Sequence, residues 1–120
     1  MLVSKEFTFD SAHYLTAYHG KCERLHGHTY KLRVTVEGAV SKEGMVVDFC
    51  ELKALVGRLV VDKLDHQSLN DFFKNPSAEN MVIWMWKELE KPIVKMAKGV
   101  KLYEIVLFET QNNFVTYRGK

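Results

Sequence analysis

The chain has 120 residues, of which 47% are hydrophobic and 27% are charged, which predicts one globular domain with a core of its own and excludes both two cores and a disordered chain. Seventeen Lys and Arg against fifteen Asp and Glu give a net charge of +2, spread without a block of like charge, and this argues against a nucleic-acid partner. The apolar runs are far shorter than the ~20 residues of a membrane span, so we expect no membrane partner.

Two stretches of the chain alternate between apolar and polar residues, which predicts half-buried strands. In residues 2 to 9 the apolar side chains of Val3, Phe7 and Phe9 share one face. The charged residues of this stretch follow Met1 almost directly, so we expect no signal peptide. In residues 30 to 37 the apolar side chains fall on even-numbered positions from Tyr30 onward. This second stretch is the clearest strand of the sequence.

The middle of the chain carries the signals of a first helix and a loop. Asp48 can cap a helix, and Glu51 three residues later completes a capping box. Apolar residues then recur with the helical period as far as Asp62. Residues 65 to 76 are polar and irregular, which predicts a loop.

A second helix and a hairpin complete the predicted elements. Ser77 can cap the helix, which we expect Pro92 to stop or kink. Residues 101 to 109 are rich in β-branched and aromatic side chains and predict a strand, which the turn Asn112-Asn113 joins to a strand over residues 114 to 118. The order ββααββ predicts an α+β domain with a largely antiparallel sheet and two helices on one face.

Three of the five histidines follow the parity of the first two strands. His13 continues the face of Phe9 if the first strand extends that far. His26 and His28 point the same way on an extended chain and continue the face of Tyr30. Three neutral imidazoles that leave a fourth position open are the ligand set of a catalytic zinc ion. The alternative is that these histidines are hydrogen-bonded polar residues at a strand end.

The chain contains two cysteines, Cys22 and Cys50. This is too few for a secreted disulfide scaffold, so we expect a cytoplasmic protein with free thiols. Cys22 lies in a polar stretch four residues before His26, and near zinc or a cationic side chain its pKa would fall, so that its thiolate could act as a base or nucleophile. The alternative is an incidental loop cysteine.

Two further positions are candidates for acid and base chemistry. Asp65 and His66 are adjacent in the predicted loop, and a carboxylate beside an imidazole can orient it for proton transfer; the alternative is a solvated pair. Glu109 shares the parity of Leu107 and would aim a carboxylate into the buried face, where a ligand with two N–H groups would satisfy it. The alternative is that the strand ends at Phe108 and Glu109 is the first turn residue.

Six short motifs occur in order along nearly the whole chain. They are residues 7 to 13, 22 to 28, 47 to 49, 64 to 70, 76 to 80, and 109 to 110. In this order and at these spacings they resemble the 6-pyruvoyl-tetrahydropterin synthase family. The three residues between Cys22 and His26 look like the bacterial 6-carboxy-tetrahydropterin synthases of queuosine biosynthesis, whereas the animal-type enzymes have a longer spacing.

The resemblance implies a single pterin synthase-like domain over residues 1 to 120 with the tunnelling fold. In that fold ββααββ subunits join their sheets into a trimeric barrel, and two trimers stack as a homohexamer, which closes exposed sheet edges. It also implies a role for each candidate residue. Zinc is held by His13, His26 and His28, catalysis is carried by Cys22 as the base with Asp65 and His66 from across a subunit interface, and the pterin is bound by Glu109 and Thr110.

The implied reaction is that of a lyase. Dihydroneopterin triphosphate is converted to 6-carboxy-tetrahydropterin with loss of acetaldehyde and triphosphate. The alternatives are a 6-pyruvoyl-tetrahydropterin synthase, which only eliminates triphosphate, an aldolase that cleaves dihydroneopterin, and a zinc-binding oligomer without catalytic activity.

Overall fold

The computed structural model describes residues 1 to 16, 20 and 23 to 120. It confirms the predicted α+β class and the order of the predicted elements. The strands are β1 (Leu2–His13), β2 (His26–Glu37), β3 (Gln67–Ser68), β4 (Lys101–Phe108) and β5 (Phe114–Tyr117). The helices are α1 (Phe49–Val56), which continues through a π-helical stretch (Gly57–Val61) into α2 (Asp62–Leu64), a 3-10 turn (Leu69–Asp71), and α3 (Ala78–Met96).

The strands of the described residues form one sheet with the order β3-β1-β2-β4-β5. All neighbours are antiparallel except β3, which pairs parallel to β1 through Ser11 and Gln67. The prediction of a continuous loop over residues 65 to 76 is therefore wrong at β3. A two-residue strand is too short to show an alternating pattern in the sequence. β3 is a strand because it pairs with β1.

β1 and β2 are longer than predicted at the ends that face each other. β1 continues beyond residue 9 to His13, β2 begins at His26 instead of Tyr30, and His13 lies opposite His26 in the register. The added residues are mostly polar, so they lack the apolar alternation on which the prediction rested. Their pairing with each other places the histidines on regular strand backbone.

The core lies between one face of the sheet and the helices. Tyr30, Leu32 and Val34 of β2 are fully buried, and they belong to the same core cluster as Met85 and Leu89 of α3. The odd-numbered residues of β1 and the even-numbered residues of β2 share this face. Among the described residues, no helix has both the length and the apolar character needed to cross a membrane.

Both predicted helix caps are present. The Asp48 side chain accepts a hydrogen bond from the Cys50 backbone N–H at 2.7 Å, and the Ser77 hydroxyl accepts one from the Asn80 N–H at 3.2 Å. Of the two predicted effects of Pro92, a stop of the second helix is wrong, because α3 continues to Met96. Fully buried apolar side chains lie on both sides of this proline, and their burial offsets a cost of about 3 kcal/mol for proline within a helix.

Candidate metal centre and acid–base pair

β1 and β2 bring three imidazoles together at one end of the sheet. His13 pairs with His26, and the next position on the same face pairs Ser11 with His28. The ring centroids lie 4.6 Å apart for His13 and His26, 5.0 Å for His13 and His28, and 4.7 Å for His26 and His28. The convergence expected from strand parity is present, and it depends on the extension of both strands beyond their predicted limits.

Hydrogen bonds to backbone carbonyls fix the orientation of two of these rings. His13 Nδ1 lies 2.7 Å from the Pro76 carbonyl oxygen, and His26 Nδ1 lies 2.7 Å from that of Arg24. Because a carbonyl can only accept, each Nδ1 carries the proton and each neutral ring leaves a lone pair on Nε2. Metal-binding histidines commonly donate their second N–H in this way.

The three Nε2 atoms fit a cation at their centre. Those of His13 and His26 lie 3.1 Å apart, and two lone pairs at this separation repel each other unless a positive charge lies between them. The Nε2 of His28 is buried without a hydrogen-bond partner among the described residues. Burial lowers the pKa of His28 against the opposing effect of the Glu109 charge, which favours the neutral form that a metal requires. All three ligand atoms lie within 4.8 Å of one another, so the donor set suits zinc with one position open.

The Glu109 carboxylate faces this cluster. Its Oε1 lies 3.7 Å from His28 Nε2, and its Oε2 lies 3.8 Å from His13 Nε2. The predicted strand over residues 101 to 109 is one residue too long, because β4 ends at Phe108. Glu109 opens the turn instead, with its N–H donating to the Asn113 carbonyl at 2.9 Å. Glu109 is therefore the first residue of the turn, and its carboxylate also faces the histidines.

The turn after β4 is shaped by Thr110. Its hydroxyl oxygen accepts hydrogen bonds from the backbone N–H groups of Asn112 at 3.3 Å and Asn113 at 3.1 Å. In the structure Thr110 therefore stabilises the hairpin that presents Glu109.

A cavity of about 260 Å³ lies between this hairpin and the start of α3. Its lining includes the carboxyl-bearing residues Glu79 and Glu109 together with Asn113. The sequence patterns assigned no role to Glu79. The signal that could have identified it is its position in the motif over residues 76 to 80, two residues after the helix cap Ser77. The cavity therefore combines a second acid with Glu109.

Asp65 and His66 form a separate acid–base pair. The carboxylate Oδ1 of Asp65 lies 3.0 Å from His66 Nδ1 and accepts a hydrogen bond from the Asp10 N–H at 2.9 Å. This backbone bond, reinforced by the bond with His66, lowers the pKa of Asp65. The backbone N–H of His66 in turn donates to the Asp10 carbonyl at 2.6 Å, and this bond holds His66 at a φ of 57°. The pair is thus fixed to β1, and the ionised carboxylate orients the imidazole.

The pair is part of a cluster separate from the three histidines of its own chain. His66 and the side-chain cluster it forms with Asp65 and Asp10 are largely exposed, with 78% of the His66 side chain accessible against 1% for His13. His66 lines a cavity of about 540 Å³ that His28 also borders, together with Asp10 and Thr29. These two strand residues alternate with the positions that carry the buried histidines, so they lie on the opposite face of the sheet.

The structure describes one of the two cysteines. Cys22, the candidate base, lies outside the described residues. Cys50 is an exposed free thiol at the start of α1.

Comparisons with known proteins agree on one family. The family model described as 6-pyruvoyl tetrahydropterin synthase matches residues 2 to 120. A 6-carboxy-5,6,7,8-tetrahydropterin synthase from Haemophilus influenzae is 48% identical over 73 residues, which are 58% of this chain and only 52% of that relative. A 6-pyruvoyl tetrahydrobiopterin synthase from Dictyostelium discoideum is 38% identical over 108 residues, which are 85% of this chain and 76% of the relative.

A solved structure gives the same result for the fold. The 6-pyruvoyl tetrahydropterin synthase of Caenorhabditis elegans superposes with a TM-score of 0.85 at 30% identity, over 100% of this chain and 96% of the other. This chain therefore belongs to the 6-pyruvoyl tetrahydropterin synthase family of pterin synthases and has its tunnelling fold.

Proposed function

We propose that this chain is a zinc-dependent 6-carboxy-tetrahydropterin synthase, a lyase that releases acetaldehyde and triphosphate from dihydroneopterin triphosphate. The observation that carries the metal-dependent part is the convergence of three Nε2 atoms, one of them buried without a partner among the described residues. The spacing between Cys22 and His26 and the 48% identity to a 6-carboxy relative favour this branch. The identity to a 6-pyruvoyl relative keeps the simple elimination as the second candidate.

His13, His26 and His28 would hold the zinc ion. When bound there, it supplies Lewis acidity that polarises oxygens of the substrate side chain and makes the neighbouring C–H groups more acidic. The chain's own contribution is to fix the tautomer and orientation of His13 and His26 through the carbonyls of Pro76 and Arg24, which leaves Nε2 of each ring directed at the shared position.

The carboxylates beside the cluster suit a pterin. Glu109 can accept two N–H groups from the guanidine-like edge of the ring as a charge-assisted pair. Thr110 holds the turn that carries Glu109, and Glu79 lines the same cavity as a second acceptor. The ring would then lie with its side chain toward the histidines, since the Glu109 carboxylate is within 4 Å of two of them.

We assign proton transfer to Cys22, Asp65 and His66. Cys22 would remove the substrate proton as a thiolate, and His66, oriented by Asp65, would relay protons in the tautomerisation and elimination steps. Because His66 belongs to an exposed cluster separate from the three histidines of its own chain, we infer that it serves a neighbouring subunit. This arrangement requires the trimeric barrel and homohexamer, and we place the enzyme in cytoplasmic queuosine biosynthesis.

Product identification tests this function. We expect purified protein loaded with zinc to convert dihydroneopterin triphosphate to 6-carboxy-tetrahydropterin and acetaldehyde, both measured by mass spectrometry. The product 6-pyruvoyl-tetrahydropterin would assign the chain to the other branch, and cleavage of dihydroneopterin would make it an aldolase. Binding of zinc without turnover of any of these substrates would support the non-catalytic oligomer.

The Glu109→Gln variant should bind pterins more weakly. An amide in place of the carboxylate loses one charge-assisted acceptor, and a hydrogen bond to a charged group contributes about 1.5–3 kcal/mol, so the Kd for neopterin should rise about 10- to 100-fold. Titration calorimetry gives the Kd, and zinc content measured on the same sample separates ring binding from metal loss.

The matched control for this variant is Glu6→Gln. Glu6 is an exposed carboxylate that pairs with Arg33 on the opposite face of the sheet, so its removal should leave the Kd for neopterin unchanged. Equal affinity of the Glu109→Gln protein and the wild type would contradict the proposed role of Glu109.

A further inference from the structure

Tyr30 lies buried directly behind the histidine cluster. It follows His28 by two residues on β2, so the two side chains share a face of the sheet, and Tyr30 has 0% exposure. A residue with no accessible surface cannot touch a substrate that enters from solvent. Any role of Tyr30 in the site must therefore act through its neighbours.

The Tyr30 ring contacts two of the three candidate ligands edge-on. Its centroid lies 5.6 Å from that of His28 and 6.1 Å from that of His13, with interplanar angles of 74° and 90°. On its other side it stacks on Phe9 at 5.0 Å with an angle of 10°. The stacked pair forms a rigid wall against which both imidazoles rest, and this restricts rotation of the two rings.

The Tyr30 hydroxyl also reaches the back of His13. Its oxygen lies 3.3 Å from His13 Nδ1, the atom whose proton is donated to the Pro76 carbonyl at 2.7 Å. Since that nitrogen has no free lone pair, the hydroxyl oxygen is the second acceptor of a three-centre hydrogen bond. The carbonyl and the hydroxyl together fix the tautomer and the ring plane of His13.

We propose that Tyr30 is a positioning residue of the metal centre, holding His13 and His28 so that their Nε2 atoms point at one shared position. This rests on the proposed metal site. Outer contacts of this kind commonly change metal affinity 10- to 100-fold when they are removed. In this chain one side chain would restrain two ligands at once, one by a hydrogen bond and packing and the other by packing alone.

Two variants separate the hydroxyl from the ring. Tyr30→Phe keeps the wall and removes the acceptor, and we expect its zinc Kd to rise about 10-fold in competition with a chromophoric chelator. Tyr30→Leu also removes the wall, and we expect about 100-fold. As a second readout, the visible absorption of the Co²⁺-substituted protein reports ligand geometry, and its bands should shift in both variants, more strongly for Tyr30→Leu.

The control for lost core packing is Leu32→Ala. Leu32 is fully buried on the same face of β2, two residues beyond Tyr30, and this truncation should lower the Tm through the cavity it leaves without reaching the histidines. We expect wild-type zinc affinity and a wild-type cobalt spectrum for it, measured at a temperature where all variants are folded.

The proposal for Tyr30 is overturned if both tyrosine variants bind zinc within twofold of the wild type with unchanged cobalt spectra. It is equally overturned if Leu32→Ala weakens zinc binding as much as Tyr30→Leu. A His28→Ala protein measured alongside distinguishes these results from failure of the metal site. If that variant binds zinc as tightly as the wild type, the proposed centre and the role of Tyr30 are both wrong.

Discussion

Replacing His28 with alanine will abolish stoichiometric zinc binding and enzyme activity while leaving the fold intact. The side chain lies near the start of β2 and is not part of the hydrophobic core cluster, so its truncation leaves the packing of that cluster in place. The Nε2 of His28 has no hydrogen-bond partner among the described residues, so the truncation breaks no hydrogen bond of that atom. What is lost is one of three neutral ligands, and two imidazoles do not complete a catalytic zinc site.

Metal content and chelator sensitivity measure this loss. Zinc that binds only the folded state stabilises it by about 4 kcal/mol at a free concentration 1,000 times the Kd. A chelator should therefore lower the Tm of the wild type and leave the Tm of His28→Ala unchanged. The matched control is His66→Ala, because His66 belongs to the separate exposed cluster and should keep zinc. A His28→Ala protein that purifies with one zinc per chain and retains turnover would refute the proposed centre.

Strand periodicity was enough to predict which face each histidine occupies. His13 follows Phe9, and His26 and His28 precede Tyr30, each by an even number of residues, and the side-chain alternation of a strand is strict. It could not predict how far the strands extend, because residues 10 to 13 and 26 to 29 are largely polar and carry no apolar alternation. The pairing of one polar segment with the other defines these strand ends, and this pairing is a tertiary property.

The contacts that orient the site were beyond local sequence patterns. The carbonyl that fixes His13 belongs to Pro76, 63 residues away, and the position of Asp65 depends on the N–H of Asp10, 55 residues away. No periodic or capping signal specifies such long-range hydrogen bonds. Glu109 is a further example. Its inward orientation was predicted from strand parity, but β4 ends one residue before it, so the turn and not the strand positions this carboxylate.

Two inactive variants should regain activity when they assemble together, if Cys22 and the Asp65–His66 pair act on one substrate from different subunits. We expect Cys22→Ala and His66→Ala each to lose about 10²- to 10⁴-fold in kcat, the range for loss of an acid or base, while both keep zinc. In a mixed oligomer, a site that takes Cys22 from one variant and His66 from the other is intact. Random assembly of equal amounts restores about a quarter of the sites across a heterologous interface.

A third variant makes this experiment specific. Cys22 and the zinc ligand His28 would serve the same site from the same chain, so mixing Cys22→Ala with His28→Ala should restore nothing. Mixing His66→Ala with His28→Ala should restore about as much activity as the first pair, because each variant supplies what the other lacks. Co-expression with two affinity tags and sequential purification yields the mixed oligomers, and their turnover is compared with that of each variant alone. Absence of recovery in every mixture would place all three groups within one chain. That result would contradict the proposed division of Cys22 and the Asp65–His66 pair between neighbouring subunits.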